Sequence, residues 1–399
     1  MSVHFASVVL LVLLAEPSQP LAFEGALGFG RFAQGGSGGA PVLITSLLDY
    51  PPGHAPIPGT LRWAIEELTG PRIILFAVSG KIALTTQLAL VGKNGAYVTL
   101  DGRTPDGAGV TIGDHQFGAV NTHDIIIRFL RFRSDEDGTL DHGERSLSLF
   151  ANAGKTTHDI IVDHCSIERS DDDDLSIWDN CERITIQWCY LGDGRNSQLS
   201  KATITGGYEA PASDEYITFC YNLFTNSYSR LPQLGGPGRI DFYNNAVIHS
   251  VLQMMILASY VGQDSPRINL VSNYFQYQDN YPWPSPYPTD VITATPDYVQ
   301  TPASMFLANN WVHGTCSSDP WSLTGIWLPY QGEVGHTDLP DDRRRQVPWP
   351  SDMMPASVRL SLERILREGG CRIAGQLDAI DEKLVDNART RHATIPPFP

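Results

Sequence analysis

Beyond its first fifteen residues the sequence has no apolar run long enough to cross a bilayer, so the body of the chain offers no membrane span. Positive charge is scarce as well: 28 Lys and Arg stand against 44 Asp and Glu, a formal net charge of −16. That balance argues against a nucleic-acid binder, which needs a basic face. It does not exclude an enzyme acting on an anionic polymer, provided the site itself is locally basic. The six cysteines include no CxxC pair, which disfavours a zinc site. Charged residues make up only 18% of the chain and aromatic residues reach 10%, a composition foreign to disordered proteins. The first five residues lack Lys and Arg, yet the apolar run 6–15 and the small and polar residues up to 22 have the layout of a signal peptide. Residues 1–22 are therefore expected to direct secretion. An oxidising destination permits disulfides, but the sequence does not fix their pairing.

What is abundant is turn-forming residues, 36 Gly and 28 Pro, and an octad that recurs. It begins at Ile125, Ile160, Ile184, Ile217, Ile240, Ile268 and Met305, at spacings of 35, 24, 33, 23, 28 and 37 residues. Each copy opens on an apolar alternation suited to a strand, passes a polar or turn residue, and enters a second short strand. One strand motif per 20 to 40 residues is the mark of a stacked coil whose rungs complete one another's core. Uneven spacing puts the insertions in loops on one side, where a solenoid builds its groove. A propeller would need a more regular period and four strands per blade.

The sixth octad position holds Leu130, Cys165, Cys189, Asn222, Asn245, Asn273 and Asn310. Four consecutive asparagines in one column predict an internal amide ladder, because buried amides persist only when partnered. Cys165 and Cys189 would stack above them as small apolar groups. Helical periodicity is confined to residues 356–368 and 380–389, while the proline-rich stretch 281–302 reads as a long loop. The expected organisation is a β-coil over 23–340 and a C-terminal helical or extended segment, 341–399, packed against it.

Several segments now resemble a known family. Glu24-GALGFGRFAQGGSGG-Ala40, Gly59-TLRW-Ala64, Ile74-LFAVSGKI-Ala83 and Leu100-DGRTPDGAGVTI-Gly113 are similar to the opening of bacterial-type pectate lyases of polysaccharide lyase family one. Ile161-VDHCS-Ile167 resembles that family's WIDHCS signature, and Ser229-RLP-Gln233 its arginine–leucine–proline segment. Residues 365–386, with Asp378 and Asp381, resemble its closing helix. The resemblance implies an all-β, right-handed, single-stranded parallel β-helix of the pectin lyase-like kind with short C-terminal helices. It implies β-elimination on 1,4-linked galacturonan, with pectate or pectin as the partner, by a monomer that engages neither nucleic acid nor membrane.

Such chemistry removes a proton α to a uronate carboxylate, which creates a dianionic enolate. The site must therefore supply positive charge at the carboxylate and a base near C5. By the resemblance Arg230 takes the place of the catalytic base, which implies an alkaline pH optimum, and Lys201 that of a lysine on the substrate carboxylate. On the residues alone, Arg230 equally fits a carboxylate clamp and Lys201 a solvated surface lysine. Arg195, on the same loop as Lys201, and Arg239 are further candidates for substrate binding, although Arg239 fits a surface salt bridge better than a place in the groove. The run Asp171 to Asp174 is the candidate calcium site, with Asp172 aligned to a family ligand and Asp173 and Asp174 beside it. Asp163 and His164 read as a structural pair within a rung.

The departures from the family pattern all bear on calcium. Arg145, or Glu144 after a one-residue shift, stands where a second calcium carboxylate is expected, Ser176 where a further ligand is, and Gly235 where a second arginine is. Two readings follow: a weaker calcium site on Asp172, Asp173 or Asp174, or Arg145 in place of the metal, as in the related pectin lyases. A single +1 charge suits a methylated, less anionic substrate. Two other functions stay open: a β-helix that binds polysaccharide without cutting it, and a polygalacturonase-type hydrolase using paired carboxylates such as Asp173 and Asp174. The aromatic stretch 277–287 is a candidate subsite lining or packing against the coil.

Overall fold

A computed structural model describes residues 19–103, 107–135, 143–194, 201–208, 215–250, 253–260, 266–277, 291–295, 304–326 and 340–390. The predicted signal peptide falls almost wholly outside these.

The described strands form three sheets of ten, ten and nine strands, parallel throughout except for the last pairing of the second. Sheet one runs from Ala40–Ile44 to Met305–Ala308, sheet two from Gly80–Ala83 to Thr315–Cys316, and sheet three from Leu88–Val91 to Thr324–Ile326. Apart from that terminal antiparallel pair, each full turn contributes one strand to each sheet, and each strand pairs with its counterparts one turn before and after. The architecture is a right-handed parallel β-helix.

The octad explains the coil. Its first and third residues point inward from sheet one: Ile125 and Ile127, Ile160 and Val162, Ile184 and Ile186 are all fully buried. The eighth, Phe132, Ile167, Leu191, Phe224, Val247 or Phe275, fills the core from sheet two. Inward residues of sheet three, such as Leu147, Leu149, Leu175 and Ile177, close the same continuous core. The fifth position makes the corner. Phe129, His164, Trp188, Tyr221, Asn244, Ser272 and Asn309 have φ between 52° and 58°, the left-handed region that side chains disfavour. Stacking offsets part of that cost: Trp188 and Tyr221 lie parallel at 4.5 Å, and Phe129, His164 and Trp188 continue the pile.

Just inside this corner runs the amide ladder. Asn222 donates to Asn245 Oδ1 at 3.0 Å, Asn245 to Asn273 Oδ1 at 3.2 Å, and Asn273 to Asn310 Oδ1 at 3.0 Å. Each carboxamide also donates to a carbonyl of the preceding rung and accepts from a backbone N–H, so no rung leaves its amide unsatisfied. Above it the backbone N–H of Cys189 bonds Asn222 Oδ1, and Cys165 stacks on Cys189. All six cysteines are free thiols.

Three segments clothe the coil. Residues 22–39 cross the outer face of sheet one, their N–H groups bonding Gln187, Thr218, Thr185, Asp124 and Thr99. A Cβ at Gly30 would sit 2.2 Å from the Ile160 carbonyl, which explains glycine in that motif. Helix α1 (Leu61–Glu66), capped by the Thr60 hydroxyl, buries Leu61, Ala64 and Ile65 against the first rungs. Helices α2 (Val358–Glu368) and α3 (Ala379–Thr390) fall where the periodicity placed them. They pack Val358, Ile365, Leu366 and Val385 on Trp188, Tyr190 and Tyr221. Asp378 and Asp381 reach the buried guanidinium groups of Arg131 and Arg133, tying this segment to sheet two. One expectation fails: the stretch 281–302 is not all loop, because Ile292–Ala294 is a strand of sheet three. Three residues between prolines carry too little period to be seen in the sequence.

Candidate active site

The candidate residues lie where the chain enters sheet three. There the strand Asp173–Trp178 pairs with Leu147–Phe150 on one side and Lys201–Gly206 on the other. Arg145 precedes the first of these strands, Asp172 and Asp173 open the second, and Lys201 opens the third. Arg230 comes three residues before Gln233, which continues the same sheet. Stacked register thus turns a spread of 85 positions into one short column.

Two carboxylates anchor three cations. Asp172 accepts from Arg145 Nη2 at 3.1 Å on one oxygen and from Lys201 Nζ at 3.2 Å on the other. Asp173 accepts from Arg230 Nη1 at 3.1 and 3.0 Å. The Asp173 side chain is 1% exposed, while that of Arg230 remains 25% exposed. Burial pushes the Asp173 carboxyl up to about 6, against the opposing pull of Arg230, with Asp172 adding to the rise and Lys201 opposing it. Arg230 itself has φ 59°, and its carbonyl accepts from Thr203 N at 3.0 Å, so the neighbouring rung holds the strained residue in place.

Asp174 does not join this group. Its side chain is fully buried and accepts from Ser170 N at 2.9 Å, and burial pushes its carboxyl well above the ordinary range. Glu144 turns the other way, accepting from Gln116 N at 2.8 Å and approaching His115 Nδ1 at 3.1 Å. Asp171 accepts from Gly143 N. Calcium wants about six to eight oxygens around one point. Here both oxygens of Asp172 and of Asp173 are engaged by cations, and among the described residues no three His, Cys, Asp or Glu groups are placed to hold a metal. The expected calcium site of Asp172, Asp173 and Asp174 therefore does not fit, and the hydrolase reading loses Asp174 as a partner for Asp173. The reason is geometric: consecutive residues entering a strand project to different sides, so a run of four Asp does not converge.

Arg239 is also corrected. It lies on sheet one, away from this column, with its guanidinium over the rings of Phe29 and Tyr216 at 4.8 and 5.2 Å. Arg195 lies outside the described residues, as does 278–287 of the aromatic stretch. Tyr277 packs near His313 and against the core. Asp163 and His164 are the expected structural pair, 2.9 Å apart, with Arg128 and Gln187 also bonding Asp163.

No protein-family profile matches the chain. Among curated proteins, "Probable pectate lyase C" of Emericella nidulans is 31% identical over 240 residues, covering 60% of this chain and 50% of that protein. The protein of the same name from Aspergillus terreus is 30% identical over 276 residues, 69% of this chain and 59% of its own length. "Probable pectate lyase P56" of Solanum lycopersicum is 32% identical, covering 59% and 58%. The chain thus spans between half and three-fifths of these relatives. Among solved structures, the cedar pollen allergen jun a 1 superposes with a TM-score of 0.56 at 16% identity, over 86% of this chain and 92% of the allergen. A pectate lyase of Bacillus sp. N165 in complex with trigalacturonate gives 0.55 at 15% identity, over 87% and 98%. In sequence and in fold, this chain is a relative of the pectate lyases of polysaccharide lyase family one.

Proposed function

We propose that the protein is a polysaccharide lyase that cuts 1,4-linked galacturonan by β-elimination. The observation that carries this reading is the convergence of Arg145, Lys201 and Arg230 on one short column of sheet three. Arg145 and Lys201 stabilise the negative charge that grows on the uronate carboxylate as the neighbouring C–H bond breaks. Arg230 must first give up a proton to solvent, a loss that alkaline pH favours; the neutral guanidine then accepts the C5 proton, the C–H electron pair becomes the C4–C5 double bond, and the C4–O bond breaks with its electrons on the departing sugar, which takes a proton from solvent. Fixed cations need no reorganisation as the enolate forms, which water could not match. Arg145 and Lys201, both held beside Asp172, are the side chains that supply positive charge to the substrate carboxylate in this reading.

The test is an ultraviolet assay for the unsaturated product on pectate and on methylated pectin, each with calcium and with chelator. Absorbance should rise with the wild type, and Arg230→Ala should abolish the rise while circular dichroism stays native. Saccharide binding without any rise would favour a binding protein, and new reducing ends without absorbance a hydrolase.

The enzyme is further proposed to act outside the cell, on the strength of the leader-like residues 1–22. N-terminal sequencing of exported material beginning near residue 23 would support this, and retention of Met1 would refute it.

A further inference from the structure

The ionisable groups that tie the C-terminal helices to sheet two do not balance in charge. Arg131 and Arg133 lie on one strand of that sheet, and Glu168 ends the neighbouring strand one turn later. Asp378 and Asp381 reach in from the start of α3. Arg133 donates to Glu168 Oε2 at 2.9 Å and to Asp378 Oδ2 at 2.6 Å. Arg131 Nε lies 3.1 Å from Asp378 and 3.4 Å from Asp381, and its Nη2 donates to the Cys371 carbonyl at 3.0 Å. Asp381 also accepts from Ser166 Oγ at 2.9 Å. Among the described residues, two cations thus face three carboxyl groups. Glu168 and Asp381 are wholly buried and the two arginines nearly so, so water does not absorb the excess negative charge.

Two oxygens mark where the excess is resolved. Glu168 Oε1 and Asp381 Oδ1 are buried and have no hydrogen-bond partner while both groups are ionised, a costly state for a buried acceptor. One proton between them satisfies both and brings the cluster to neutrality. Burial pushes the Glu168 carboxyl well above the ordinary range. The negative charge of Asp381 adds to the rise, Arg133 opposes it, and a hydrogen bond to Asp381 and the charge of Asp378 add further. The other titratable groups beside Asp381, the Cys371 thiol and the Tyr190 hydroxyl, are pushed up by burial and bring no charge of their own.

We propose that Glu168 shares a proton with Asp381 and that this proton is an alkali-sensitive latch: it holds α2 and α3 on the coil, and its loss in alkaline solution frees them. Once hydroxide removes it, Glu168 and Asp381 become two buried anions side by side. Their repulsion falls on the seam that Val358, Ile365, Leu366 and Val385 close against Trp188, Tyr190 and Tyr221. The folded chain keeps a proton that the unfolded chain sheds above the ordinary carboxyl value of 4.5. The stability this group contributes is therefore whole below that value and is lost as pH rises toward the folded one. The latch does not rest on the lyase reading, but it bounds it. Arg230 loses its proton more readily in alkali, where the latch fails, so the latch limits the working range from above.

Glu168→Gln tests it, because the amide donates to Asp381 and accepts from Arg133 as the protonated acid does, yet has no proton to lose. In urea unfolding followed upward from about pH 5, the ratio of variant to wild-type folding constants should grow about tenfold per pH unit until Glu168 ionises in place, since the two proteins differ by one bound proton. Asp174 and Glu215, also buried and pushed up, titrate alike in both proteins and cancel. A variant less stable than the wild type by the same ratio at every pH would make Glu168 an ionised partner of Arg133 and overturn the latch. Trypsin gives a reading that does not need the variant. In alkaline buffer the wild type should be cut first within α2 and α3, at Arg364, Arg367 or Lys383, while the coil stays whole, and in neutral buffer these bonds should resist. Cleavage of the helices at the same rate relative to the coil in both buffers would equally overturn it.

Discussion

At the residue scale the site is a balance of three cations against two carboxylates, and each partner has a testable weight. Asp173 titrates at about 6 in the native state against an ordinary value of 3.8. Between those values the folded protein binds more protons than the unfolded chain, so stability falls as pH rises from about 4 to about 6, by up to roughly 3 kcal/mol. Asp173→Asn should flatten that segment in urea titrations at pH 4, 5 and 6. An unchanged slope would mean the carboxyl titrates normally. Arg145 has the opposite kind of test. If it neutralises the substrate in place of a metal, chelator should leave the wild-type rate intact, and Arg145→Gln should lower kcat/KM by about 10- to 100-fold, the cost of losing one preorganised charge. A wild type silenced by chelator and restored by calcium would refute the assignment.

At the scale of elements, the rung is the unit, and its corner does most of the specifying. The left-handed residue at the fifth octad position turns the chain from sheet one to sheet two, and the sixth position supplies the amide that ties that corner to the next. Replacing one amide strands several buried donors and acceptors in neighbouring rungs. Asn245→Ala should therefore cost about 2 to 4 kcal/mol in chemical denaturation, more than a surface Asn. A loss below about 1 kcal/mol would show that the ladder follows the coil and does not hold it. The C-terminal helices are secured differently, by Asp378 and Asp381 on Arg131 and Arg133. Arg133 is almost wholly buried, and the carboxylates hold its proton against desolvation.

At the scale of the whole molecule, a net charge of −16 surrounds a locally basic column. At low ionic strength the repulsion reaches about 30 Å, and at 0.15 M it shrinks to about 8 Å, while the short contacts inside the site are little screened. Adding salt over that range should raise kcat/KM on pectate several-fold and leave an esterified polymer almost unaffected. A fall on pectate would indicate that local attraction outweighs the global field.

What the sequence determined alone was everything that repeats. Inward residues at octad positions one, three and eight, and four asparagines in one column, can be read without coordinates, because a stacked coil imposes the same environment at the same position of every rung. The two C-terminal helices were legible for a similar reason, their apolar period of about 3.6 residues. The tertiary structure decided what depends on which way a side chain turns between rungs. Four consecutive Asp looked like one cation site, yet one pairs with Arg145 and Lys201, one with Arg230, and one is buried on Ser170. Arg239 stood as a candidate for the groove and lies on sheet one, and Trp178, Tyr208 and Tyr260 come together from three different turns. Spacing along a chain carries no record of contacts made across rungs, since loops of unequal length intervene and only the stacked register closes the distance.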